Sequence, residues 1–252
     1  MMGVLSKAQV GVFRRDGYLH VPGMYSPAEA AEISNWTDAL SAAPETVGKD
    51  WKYFEESALD GSRILCRIEN FVPHHDGFAK LIQNARMAQA VSELFGEPAV
   101  LFKDKINFKL PGGDGFRAHQ DVQAGWDAYA PLHITAMIAI DATTAENGSL
   151  EMLPGVQNRG LLGEMWAPLD EDALGRPAFQ PVHCAPGDAV FFDSFTPHKS
   201  APNRTGQSRR VLYITYNAAS AGDQRTRYYA DKHRNFPPDI ERDPDRDYAY
   251  KV

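Results

Sequence analysis

At Pro98 the hydrophobic period of the chain changes. Before it, apolar residues recur at helical spacing; after it, they alternate. Such a chain must place helices in its first third and a β-rich body behind them. Ser26-Pro27-Ala28-Glu29 is a capping box with proline at the first helical position. It predicts an amphipathic helix to about Ala42, with Ala30, Ile33, Trp36 and Leu40 on one stripe. A shorter helix over Lys7–Asp16 ends at Gly17, and a third over Gly77–Phe95 stops at Gly96.

Beyond Pro98, Leu132, Ile134, Ile138 and Ile140 fall on one strand face, and His133, Thr135 and Met137 on the other. Ala189–Phe192 and Val211–Tyr216 read as further strands. Pro111-Gly112-Gly113, Glu146-Asn147-Gly148, Pro154-Gly155 and Pro186-Gly187-Asp188 punctuate the sequence with turns. Short strands between frequent turns predict a mainly β jelly roll with helices on one outer face. With no repeat or linker, residues 1–252 read as one domain. The charged tail Asp239–Asp247 is expected at the surface.

Composition narrows the function. The chain has 26 Lys+Arg against 33 Asp+Glu, a net charge of −7, which argues against a nucleic-acid partner. No apolar run reaches membrane-spanning length, and no secretory h-region opens the sequence. The only cysteines, Cys66 and Cys184, exclude a disulfide scaffold and a thiolate-built zinc site, and fit a reducing cytoplasm. A metal must then be held by His, Asp or Glu.

His119-Gln120-Asp121 offers such ligands. On an extended segment the first and third residues point the same way. His198 ends the strand Val190–Thr196, and a jelly roll can bring the two strands together. Two imidazoles and a carboxylate on one face of an ion are the triad of non-haem Fe(II) oxygenases, with open positions for a co-substrate and dioxygen. A lone His-x-Asp is common by chance. Ser200, Asn203 and Arg209 after His198 raise its weight, because Arg209 shares a strand face with Val211, Tyr213 and Thr215. A guanidinium there makes a bidentate clamp for the far carboxylate of 2-oxoglutarate. Strand parity selects Arg209 over Arg210 for that role. Two alternatives stand beside it: both arginines in surface ion pairs, or a metal-dependent jelly-roll enzyme that is not an oxygenase.

Lys103, Lys105, Asn107 and Lys109 alternate on one strand, either lining the barrel for anions or forming a solvated face. Gln123, Trp126, Asp127 and Tyr129 follow the His-x-Asp motif; aromatics with a carboxylate can hold an ammonium group, or simply pack a loop. His133 points inward, as a ligand-facing or a hydrogen-bonded core residue. Arg67, Glu69 and Asn70 offer another polar wall, which argues against a long lipid chain.

Phe13-Arg14-Arg15-Asp16-Gly17-Tyr18, His119-Gln120-Asp121, Glu146-Asn147-Gly148-Ser149-Leu150, Pro154-Gly155, Pro186-Gly187-Asp188, and His198 with Ser200, Asn203 and Arg209 together resemble the phytanoyl-CoA dioxygenase family. The resemblance runs from about Phe13 to Tyr229. It implies a double-stranded β-helix that uses Fe(II), 2-oxoglutarate and O2, with His119, Asp121 and His198 as iron ligands. It further implies Arg209 and Ser200 at the 2-oxoglutarate carboxylate, with Asn107 beside them. Lys105, Thr135 and Met137 complete the expected co-substrate set. Lys103, Gln123, Trp126, Asp127, Tyr129, Arg67 and His133 form the expected substrate set. Related halogenases lack the carboxylate ligand, so Asp121 favours hydroxylation. Where many members have serine and histidine after the Pro-Gly turn, this chain has Val156 and Gln157. Lys105–Gly113, the Trp126 segment and Tyr228–Lys232 are similar to a bacterial subgroup of this family that includes an oxygenase hydroxylating carbon 1 of 2-aminoethylphosphonate. That implies a small zwitterion between the lysines and Asp127, with release of succinate and CO2. Another small molecule or an acyl-type substrate remains the alternative.

Overall fold

Both N-terminal helices begin where their serines cap them. In the computed structural model, which describes residues 3–176 and 178–248, Ser6 and Ser26 accept from Gln9 N and Glu29 N at 3.2 and 3.3 Å, with the reciprocal bonds also formed. The ends of the expected domain, 1–2 and 249–252, lie outside the described residues. Helix α1 (Lys7–Asp16) ends at a left-handed Gly17 and leads into β1 (Tyr18–Val21); α2 (Pro27–Ala42) precedes the hairpin of β2 (Trp51–Glu56) and β3 (Arg63–Glu69).

The single helix expected over Gly77–Phe95 is two, α3 (Asp76–Gln83) and α4 (Ala85–Phe95). Asn84 adopts an extended conformation, and its Oδ1 accepts from Met87 N at 3.0 Å, so it ends one helix and caps the next. An Asn side chain competes with helical backbone bonding in this way.

The remaining strands are β4 (Ala99–Lys109), β5 (Phe116–His119), β6 (His133–Ala139), β7 (Leu150–Met152), β8 (Gln180–Val182), β9 (Ala189–Asp193), β10 (His198–Ser200) and β11 (Arg209–Ala218), followed by helix α5 (Arg225–Asn235). They form two antiparallel sheets, ordered β1-β9-β6-β11-β4-β3-β2 and β5-β10-β7-β8. This is the double-stranded β-helix expected from the turns and strands. Alternation divides its residues as it must. Ile134, Ala136, Ile138, Leu212 and Ile214 pack outward with Phe13, Ile33, Phe78 and Val91 of the helices. Met137, Ala139, Val190, Phe192 and Val211 pack inward against Leu150, Met152 and Val182 of the smaller sheet.

A bulge between Thr215 and Tyr216 skips Phe102 in the pairing of β11 with β4. Such a bulge re-aims side chains, and here Phe102 joins Trp126 and Tyr228 in an aromatic cluster. The tail lies at the surface as expected, with residues 243–247 exposed, and is tied down at its start, where Asp239 accepts from Phe54 N at 3.2 Å and pairs with Arg63 and Arg242. No described helix is long and apolar enough to cross a membrane, and Cys66 and Cys184 are both free thiols.

Helix α5 is fastened to β4 through a fully buried carboxylate. Asp104 accepts from Phe71 N at 2.8 Å and Val72 N at 3.1 Å, takes the Tyr229 hydroxyl at 3.2 Å, and pairs with Arg225. Removing it takes the carboxylate from the largely buried Arg225 guanidinium and the acceptor from two backbone donors. Asp104→Ala is expected to lower unfolding free energy by about 3–5 kcal/mol, read from urea denaturation.

Candidate active site

Strand β10 pairs with β5 so that His198 stands directly opposite His119. Asp121 begins the short 3-10 turn that follows β5. One ligand atom from each of the three residues lies within 4.8 Å of the others. The two rings are 4.3 Å apart. Each imidazole is oriented by a backbone carbonyl: His119 Nδ1 lies 2.7 Å from Arg117 O and His198 Nδ1 3.0 Å from Thr196 O. With Nδ1–H donating, Nε2 of each ring is left as the ligand atom. Asp121 Oδ2 accepts from the Thr135 hydroxyl at 3.3 Å, and its Oδ1 lies 3.9 Å from His198 Nε2.

Burial lowers both imidazoles, His119 to about 4. Burial alone would raise Asp121, but His198 and Lys105 hold its carboxyl below the ordinary range. Two neutral imidazoles and an ionised carboxylate are the donor set that a ferrous ion takes.

A second group, His20, Cys184 and Asp188, also lies close together. There the Asp188 carboxylate accepts from Gly23 N and Ala185 N at 2.8 and 2.9 Å, and burial raises the Cys184 thiol to about 11. That group fixes the end of β1 to the 185–188 turn.

The triad opens into a cavity of about 710 Å³ between the sheets, lined by Lys103, Lys105, Asn107, Trp126, Tyr129, Thr135 and Ser200 among the expected residues. The lysine alternation of β4 is therefore no solvated face; Lys103 and Lys109 are buried. Burial, with the Lys103 charge beside it, lowers the Lys105 ammonium to about 7. Arg209 is buried on the inner face of β11, where Nη2 donates to Gly148 O at 2.6 Å. Arg210 points the other way and pairs with Asp141 and Asp38. Lys109 Nζ donates to Ser200 Oγ at 2.7 Å. Among the described residues neither Arg209 nor Lys109 has a carboxylate within ion-pair distance, and Asn107 Oδ1 is buried without a partner. The buried Arg209 guanidinium, with no carboxylate beside it, suits an anionic ligand.

Besides Arg209, which is not among the residues lining the cavity, five expected residues lie elsewhere. Met137 packs in the apolar layer between the sheets. His133 is enclosed by Phe102 and Trp126 beneath the cavity wall. Gln123 is buried and donates to Glu164 O and Ala167 O, both at 2.6 Å. Asp127 is exposed, turned away from the cavity. Arg67 faces an adjoining cavity, 3.0 Å from Glu69. Gln157, after the Pro-Gly turn, donates to Arg14 O at the end of α1.

The lining also includes Trp166, Tyr213, Thr215, Tyr228, Asp231, Lys232, Arg246, Asp247 and Tyr248. Of these, Tyr213 and Thr215 were legible by strand parity with Arg209. The Tyr228–Lys232 segment was visible only as a similarity, and Trp166 had no periodic or motif signal. Glu69 is wholly buried among Arg67, Lys103 and Lys232. Burial would raise its carboxyl, but those three cations hold it well below the ordinary range.

A family model described as phytanoyl-CoA dioxygenase matches residues 13–211. The chain is 40% identical over 249 residues to the 2-aminoethylphosphonate dioxygenase of an uncultured bacterium, covering 98% of this chain and 95% of the relative. It is 40% identical over 237 residues to the methylphosphonate hydroxylase of Gimesia maris, covering 94% and 90%. Among solved structures, EctD from S. alaskensis with 2-oxoglutarate and 5-hydroxyectoine superposes with a TM-score of 0.75 at 24% identity, covering 87% of this chain and 78% of that one.

The turn before His198 carries its own pH dependence. Asp193 Oδ1 accepts from Phe195 N at 2.7 Å, and burial raises its carboxyl to about 6. The folded state therefore keeps a proton that the unfolded chain releases near pH 4. Stability from this group is full below about pH 4 and is lost as pH rises to about 6. Asp193→Asn keeps the acceptor and removes the titration. Its stability relative to the wild type should rise across that window by on the order of 2 kcal/mol, measured by urea denaturation at pH 4 and pH 7.

Proposed function

Since this chain belongs to the phytanoyl-CoA dioxygenase family of Fe(II)/2-oxoglutarate oxygenases, we propose that it hydroxylates a small phosphonate beside the C–P bond, as a single catalytic domain in the cytoplasm. The observation that carries this reading is one cavity holding both the His119/Asp121/His198 cluster and the ammonium groups of Lys103, Lys105 and Lys232. The two relatives at 40% identity, named for 2-aminoethylphosphonate and methylphosphonate, support a phosphonate as the anion. Free thiols support the cytoplasm.

His119, Asp121 and His198 would hold the iron, which when bound supplies the activation of dioxygen coupled to oxidation of 2-oxoglutarate to succinate and CO2. Arg209 places a fixed positive charge for the far carboxylate of 2-oxoglutarate, with Lys109, whose ammonium burial lowers to about 6, Ser200 and Asn107 as its neighbours. Lys103 and Lys105, further along the same face of β4, hold the phosphonate. Thr135 keeps Asp121 turned toward the imidazoles through its hydroxyl bond. Phe192, Trp126 and Tyr228 exclude water from the reacting carbon.

The test is an anaerobic optical titration of the metal-free protein with Fe(II) and then 2-oxoglutarate. A weak visible charge-transfer band is expected, shifting when 2-aminoethylphosphonate or methylphosphonate is added. A protein that binds the metal but forms no band would belong to the non-oxygenase metal class instead. His119→Ala should melt near the wild-type temperature, form no band and release no succinate. Arg209→Ala should raise the KM for 2-oxoglutarate by roughly 100-fold, the size of losing one buried charge-assisted contact, with a smaller change in KM for the phosphonate.

A further inference from the structure

His20, Cys184 and Asp188 converge from three stretches of chain, outside the cavity that holds the triad. His20 stands in β1, the edge strand of the larger sheet. Cys184 follows β8, and Asp188 immediately precedes β9, the strand that β1 pairs with. One ligand atom from each residue lies within 4.8 Å of the other two. His20 Nε2 is 3.1 Å from Asp188 Oδ2 and 3.8 Å from Cys184 Sγ.

Those separations suit a small tetrahedral ion. Zinc binds thiolate sulfur at about 2.3 Å and imidazole nitrogen or carboxylate oxygen at about 2.0–2.2 Å. Tetrahedral angles then put sulfur and nitrogen about 3.6 Å apart, and nitrogen and oxygen about 3.3 Å apart. Both observed separations lie within a few tenths of an ångström of these edges. Two of the donors are also held in place by backbone. The Asp188 carboxylate accepts from Gly23 N and Ala185 N at 2.8 and 2.9 Å, the kind of support that ligating carboxylates have. Cys184 is bridged to Thr143, and its N donates to Thr143 Oγ1 at 3.0 Å. Access comes from the third: His20 keeps 30% of its side chain exposed, against 10% for Asp188.

The contact of His20 with Asp188 is enough to tie β1 to the turn. The thiol adds nothing to that tie, but it completes a donor set of one sulfur, one nitrogen and one oxygen. Such a set favours a borderline-soft ion, whereas the triad offers only imidazole and carboxylate. A single thiolate among mixed donors is compatible with a chain that has two cysteines.

We propose that His20, Cys184 and Asp188 form a zinc site separate from the iron centre, with water as fourth ligand, which clamps the edge strand β1 to the turn before β9. On binding, the S–H bond of Cys184 breaks, the Zn–S bond forms and the proton goes to solvent. Nothing is oxidised or reduced. The inference does not depend on which substrate the oxygenase takes.

The triad also binds divalent ions, so the experiment uses a signal that only sulfur produces. Co(II) is added anaerobically to the metal-free protein. Cobalt bound to a thiolate absorbs strongly in the near ultraviolet through charge transfer, and cobalt on imidazoles and a carboxylate does not. The band is expected to saturate at one thiolate-bound ion per chain and to be bleached by added Zn(II). It should vanish in Cys184→Ser and remain in Cys66→Ser. His20→Gln, a change at a part-exposed side chain, should weaken Co(II) binding by more than about tenfold, the least that loss of even an outer-shell partner costs. In a His119→Ala background, which disables the triad, Zn(II) should still raise the Tm, and adding His20→Gln should remove that rise. Absence of the band in the wild type, or an undiminished band in Cys184→Ser, overturns the proposal. Should Cys184→Ser fail to fold, an undiminished band in His20→Gln overturns it equally.

Discussion

Arg67 from β3, Lys103 from β4 and Lys232 from α5 meet at one carboxylate, Glu69, which has no exposure to solvent. Taking four ions out of water is costly unless each finds an opposite charge. Two of those basic side chains, Lys103 and Lys232, also line the cavity. The arrangement ties three separate elements together at the barrel mouth. Asp104 repeats this from the next residue of β4, pairing with Arg225 and accepting from the Tyr229 hydroxyl on the same helix. Helix α5 is thus held by two buried carboxylates that alternate along the sheet, so the residues it lends to the cavity are placed as firmly as those of the strands.

The centre itself depends on pairing rather than charge. Register between β5 and β10 puts His198 across from His119, and the backbone on each side supplies the carbonyl that orients each ring. A register slip of one residue between the two strands would turn one histidine away from the other. The smaller sheet is short-stranded, so the hydrophobic layer of Met137, Val190 and Val211 against Leu150, Met152 and Val182 is what keeps that register.

How much of this was legible in the sequence follows from the range of each signal. The helix caps, the strand faces of β6 and β11 and the His-x-Asp geometry are local, and they stand as read. Arg209 over Arg210 followed from parity, and the structure places Arg209 inside and Arg210 among acidic residues outside. The β4 lysines were ambiguous because alternation records two faces but not which face is covered; the cover comes from strands and a helix far along the chain. Asp127 was chosen for its closeness to Trp126 in sequence, but the short 3-10 turn points it to solvent, and Asp231 from α5 stands on the wall instead. The break at Asn84 was hidden because apolar spacing continues across it while the side-chain cap does not. Trp166 left no trace at all, since its place depends on two buried glutamines that bond to backbone carbonyls.

A division of labour follows from where the lining residues come from. The floor of the cavity, with His119, His198, Ser200, Asn107 and Lys105, is built from paired strands whose register cannot change without loss of the core, and Asp121 follows β5 directly. The rim, with Trp126, Tyr129, Trp166 and Asp231, comes from a 3-10 turn, a braced loop and the C-terminal helix. Tyr129, Trp166 and Asp231 are only partly buried, so exchanging them disturbs the sheets less than exchanging Trp126, which packs in the aromatic cluster with Phe102 and Tyr228.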